Sequence, residues 1–160
     1  MNKFIAALDR QFAQLHHDSH KLMVTISPEL LYHQPPGRSN FLPLHSCGEH
    51  ILRSAAAVEQ TFGGITTNLW DDPFEWTLPE TLPTPDKVSG YLDEVEATRK
   101  DGFQLFKSDT DLVKEIMAPS GSTQLLPLLL DTLARAAHHQ GRAWATFEIL
   151  RAAKTDLFQD

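Results

Sequence analysis

Apolar residues recur at intervals of three and four along most of the chain, the repeat that lines them up on one side of a helix. Near the start they are Ile5, Leu8, Phe12, Leu15, Leu22 and Met23, interrupted only by Ser19, and predict a helix from Asn2 to Thr25. Ser27-Pro28-Glu29 can start one short turn, but Gln34-Pro35-Pro36-Gly37-Arg38-Ser39-Asn40 cannot continue it. Ser46 and Glu49 make the two halves of a capping box, so a second long helix is predicted there. Its inward face is Cys47, Ile51, Ala55, Val58 and Phe62, with Gly63-Gly64 as the expected stop. Thr84-Pro85-Asp86 offers a cap, a proline at the first helical position and an acid in the first turn. Val88, Tyr91, Leu92, Val95, Phe103 and Phe106 carry that third helix to about Lys107. Leu112, Val113 and Ile116 predict a short turn or strand before Pro119-Ser120-Gly121. A fourth helix is expected from Ser122 or Thr123 to about Lys154, with Pro127 tolerated in its first turn. Its inward face would be Leu126, Leu129, Leu130, Leu133, Ala136, Ala137, Trp144 and Phe147.

Four long helices imply an all-α four-helix bundle of up-down-down-up type, with a long crossover between the second and third. That crossover, Thr66 to Pro83, spans about 18 residues where connections typically have about 4–6, and loops of such length are often functional. Its aromatics Trp70, Phe74 and Trp76 can line a pocket mouth, cap the end of the core or fill a dimer interface. A length of 160 residues fits one domain over 1–160. With 14 Lys+Arg against 21 Asp+Glu the net charge is -7, a balance that speaks against nucleic acid and anionic membranes as partners. The longest apolar run, Leu125 to Leu130, is far short of the roughly 20 residues that cross a bilayer, and the N-terminus lacks a signal-peptide core. A lone Cys47 forms no internal disulfide, which points to a reducing, cytoplasmic setting. Close to a helix start, its thiol would be acidified if exposed, whereas a small buried core residue would be inert.

The eight histidines are the unusual number in the composition. His16 and His20, four apart on the first predicted helix, make a possible metal pair, but their polar surroundings in His16-His17-Asp18-Ser19-His20 predict a solvated cluster. His33 and His45 fall in loops and are expected to be exposed. His50 and His139 lie on long helices at the edge of the apolar face, His139 on one strip with Leu128 and Leu150, while His138 points away.

Around those two positions the chain resembles a known family. Ser46-Cys47-Gly48-Glu49-His50-Ile51-Leu52-Arg53-Ser54-Ala55-Ala56-Ala57-Val58-Glu59-Gln60-Thr61-Phe62 resembles the second helix of DinB-like proteins, the damage-inducible four-helix bundles. Ala136-Ala137-His138-His139-Gln140-Gly141-Arg142 resembles the His-His-Arg-Gly-Gln signature on their last helix, and Ile26-Ser27-Pro28-Glu29-Leu30-Leu31 with Pro35-Pro36-Gly37 resembles their loop after the first helix. The resemblance implies a divalent metal such as zinc or nickel on three histidines, and metal-dependent hydrolase or thiol-transferase activity. Only His139 of that triad matches here; the other two positions hold Arg135 and Arg53, or Ser54 in a register shifted by one. Arginine cannot ligate a metal and repels one. Two chemistries are therefore open for the cleft. In one, His50 stands in from a turn away, and His139 with a loop carboxylate completes an altered metal site. In the other, Arg53, Arg135 and His139 hold the carboxylate or phosphate of a small molecule. A non-catalytic module that forms a homodimer is the reading from a different functional class, and a homodimer is expected under either.

Overall fold

The structure, a computed structural model, describes residues 2–37, 44–73 and 77–156, and these are mostly helical. Helix α1 spans Lys3–Thr25, the single turn α2 spans Pro28–Leu31, α3 spans Cys47–Thr67, α4 spans Pro85–Gln104 and α5 spans Leu125–Asp156. A 3-10 turn at Asp109–Val113 and a hairpin of β1 (Glu115–Ala118) with β2 (Gly121–Gln124) lie between α4 and α5. Among the described residues no helix is long and apolar enough to cross a membrane.

The local signals act where the sequence puts them. Ser46 accepts a hydrogen bond from the Glu49 N–H, and the Glu49 carboxylate accepts from the Ser46 N–H, closing the capping box. Thr84 caps α4 with Pro85 behind it. Helix α3, however, runs through Gly63-Gly64 to Thr67 and ends on Asn68 in the left-handed conformation. Mid-helix glycine weakens a helix by about 1 kcal/mol without breaking it. Gly64 is needed for another reason: a Cβ there would stand 2.3 Å from the Trp70 ring, which lies against the helix. Helix α4 stops at Gln104 rather than Lys107, because Asp111 draws the Lys107 and Ser108 N–H groups to its carboxylate at 2.6 and 3.0 Å. Helix α5 begins at Leu125, later than expected, since residues 121–124 pair with β1; Pro127 is thereby in its first turn. Leu130 and Ala137 of its expected inward face are exposed. Of the crossover aromatics, Phe74 and Trp76 lie outside the described residues, as do Arg38, Ser39 and Asn40.

Helix α3 packs against α4 and α5, and α1 packs against the same two, so the four long helices close a ring. Phe12, Phe62 and Phe103 meet at its centre with ring centroids 5.2 to 5.9 Å apart. Cross-helix pairs give the directions. On α3 and α5, His50 meets His139, Ser54 donates to the Ala136 carbonyl, and Thr61 meets Thr132, so these helices are antiparallel. On α1 and α4, Asp9 meets Arg99 and His20 meets Asp93, again antiparallel. Tyr91 meets Glu59, and Phe62 packs on Phe103, so α3 and α4 run the same way. The connection of residues 68–84 therefore has to return along the bundle.

Candidate functional site

The α3–α5 seam carries the histidines that the sequence singles out. His50 sits in the first turn of α3, buried to 1% exposure, and His139 faces it from α5. Their Nδ1 atoms are 3.4 Å apart and the rings are tilted by 31°. Burial, joined by Arg142 beside His50 and by His138 and Arg53 beside His139, pushes both imidazoles down to about 4. Both are neutral at pH 7, so one Nδ1 donates and the other accepts. His45 is not exposed as expected: it is half-buried, its ring edge-on to His50 with centroids 5.4 Å apart. His33 is exposed. Cys47 is buried and its thiol is pushed up to about 12 by burial, so it takes the inert reading.

Arg53, one turn after His50, and Arg135, one turn before His139, open with His139 onto a single cavity of about 180 Å³. Gln60, Ala56 and Ala57 of α3 and Asp72 of the crossover complete its lining. The positions 53, 57 and 60 follow one another at helical spacing, a signal that places Gln60 beside Arg53 on one strip. Asp72 carries no such signal, because it sits where the chain has no period. Arg135 pairs through Nε with Asp131 at 3.1 Å, both side chains largely exposed. An ion pair this open contributes about 0–1 kcal/mol, so an incoming anion displaces Asp131 readily.

The residues here do not fit the three-histidine metal centre that the family resemblance implies. His50 and His139 meet, but the charged groups that act on the two rings are His45, Arg53, His138 and Arg142, with no carboxylate among them. His45, His50 and His139 do not bring their ligating nitrogens together as closely as a shared ion requires, within 4.8 Å of one another. Asp72, a loop carboxylate, lines the same cavity as His139, but it does not converge with His50 and His139 into one ligand set. Comparison of the sequence with family models and with curated proteins returns no match.

Proposed function

We propose that the chain is a DinB-like helical bundle whose cleft, the place of the metal in that family, takes a small anionic molecule. The observation that carries this reading is the convergence of Arg53, Arg135 and His139 on one cavity. In a purely associative module these side chains would have no reason to share a cavity. Two guanidiniums offer planar forks of donors that match a carboxylate or phosphate, and the neutral His139 adds an imidazole donor or acceptor beside them. The cavity of about 180 Å³ is partly open to solvent and has room for a phosphate or a short carboxylic acid beside the arginines. Asp72, also in the lining, can accept from a hydroxyl or amine of the same ligand, which favours a polar small molecule over a bare anion.

Thermal stabilisation by phosphate, acetate and succinate tests this. The wild type is expected to gain several degrees at millimolar anion, and Arg135→Ala and Arg53→Gln to lose most of that gain. Arg135 is exposed, so its replacement leaves the fold intact. Equal responses in wild type and both variants would overturn the reading.

A further inference from the structure

On the opposite flank, α1 and α4 bring a second set of ligating groups together. His16 and His20 stand one turn apart on α1, with ring centroids 4.6 Å apart, and Asp93 faces them from α4. Asp93 Oδ1 lies 2.9 Å from His20 Nε2 and 3.6 Å from His16 Nε2. The ligating atoms of all three are within 4.8 Å of one another, which no other group of three or more His, Cys, Asp or Glu achieves among the described residues. Around a tetrahedral zinc with bonds of about 2.0–2.1 Å, neighbouring donor atoms stand about 3.3 Å apart. The two distances to Asp93 bracket that value.

Unlike the cleft histidines, His16 has carboxylates acting on its ring. Two carboxylates, Glu96 and Asp93, act on His16 against Lys100 and the neighbouring His20. Glu96 is itself held by both arms of the Arg99 fork, at 2.7 and 2.8 Å, so it shapes the field without serving as a ligand. His20 and Asp93 remain open enough to admit an ion, with side chains 26% and 66% exposed. We propose that His16 Nε2, His20 Nε2 and Asp93 Oδ1 bind a divalent transition ion of the zinc class, with water in the fourth position, and that this ion clamps α1 to α4. Two imidazoles and one carboxylate suit zinc; calcium and magnesium, which want oxygen donors, are disfavoured.

The experiment is calorimetric titration of protein without a histidine tag with zinc chloride, alongside melting curves. Wild type is expected to bind one zinc per chain and, at about 100 times the dissociation constant, to melt about 5–10 °C higher. His20→Ala and Asp93→Asn, both surface changes, should weaken binding at least tenfold and remove the shift. His139→Ala, in the other cleft, should leave both intact, and calcium should give no shift. The proposal is overturned if wild type binds no zinc, if both flank variants bind it as wild type does, if His139→Ala abolishes binding, or if calcium shifts melting as zinc does.

Discussion

Arg99 shows what a single buried charge does to this protein. It is 3% exposed, its Nε and Nη2 donate to Glu96, its Nη1 donates to Asp9 on α1, and its guanidinium lies 5.3 Å from the Phe103 ring centroid. Burial alone would raise the Glu96 carboxyl; the Arg99 fork more than offsets this and holds it below its usual range. Removing the guanidinium leaves the buried Glu96 carboxylate with only the exposed Lys100 ammonium at 3.4 Å, and breaking a buried pair typically loses up to about 3–5 kcal/mol. Arg99→Ala is therefore expected to lose that much in urea unfolding, and Arg99→Met with Glu96→Gln to recover a large part of it. A loss under about 1 kcal/mol would show that water already serves both groups. Little of this was legible in the sequence, where an arginine three residues after a glutamate reads as an ordinary surface pair. Its partner Asp9 lies on another helix, and no local pattern encodes that. Arg53, Arg135 and His139 were legible as a group only through the resemblance, as the residues at the three ligand positions it implies; helical phase puts both arginines well off the main apolar faces. His45 was not, since it precedes the cap and has no periodicity to orient it.

Among the elements, the two helices that begin with their own cap had their starts predicted to the residue, whereas α1 begins with a borrowed one. Asn2 makes no cap bond to the helix; its side chain donates instead to the Lys107 carbonyl at 2.7 Å. The N–H groups of Phe4 and Ile5 donate to the Asp109 carboxylate at 3.2 and 3.0 Å, from the 3-10 turn after α4. A carboxylate at a helix N-terminus satisfies orphan donors and meets the positive end of the dipole. Asp109→Ala is expected to lose about 0.5–2 kcal/mol and to speed hydrogen exchange at residues 4 and 5, while exchange in α3 stays unchanged. Uniform acceleration across both helices would contradict a local role. The boundaries that sequence reasoning misplaced share one cause with this cap. Gly64 continues its helix because Trp70 needs the space, and α5 starts late because β1 claims residues 121–124. In each, a partner outside the element decides where the element ends.

At the scale of the whole molecule, the buried imidazoles and the paired carboxylates give acid stability two separate limbs. His50 and His139 are pushed down to about 4, and His16 and His45 are also lowered, each chiefly by burial. The unfolded chain takes up those protons near pH 6.5 while the folded chain does not, so stability falls as pH drops from about 6.5 toward 4. Glu29 and Asp111, held at about 2 by Lys154 and Lys114 respectively, keep their contribution above the unfolded carboxylate range and lose it between about pH 4 and 2. Urea midpoints measured from pH 8 to 2 should show both limbs. His50→Gln should flatten the upper one alone, and a profile that stays level down to pH 4.5 would mean the imidazoles titrate normally. Saturating phosphate should also flatten it, because an anion beside His139 makes protonation of that ring more favourable. The all-helical class was legible because it rests on periodicity summed over four long stretches. The expected up-down-down-up order agrees with the directions found, but the pairs that set them lie far apart in the chain, which a single sequence does not display. One such pair has a consequence during synthesis. Gln140 donates to the Leu15 carbonyl at 2.6 Å and to the buried Ser19 hydroxyl at 2.8 Å, filling the one polar gap in the stripe of α1. At about 5–20 residues per second, a ribosome needs roughly 6–25 s to travel from Leu15 to Gln140. For that interval the first helix emerges with its polar notch unfilled, and the last helix to be made is the one that completes it.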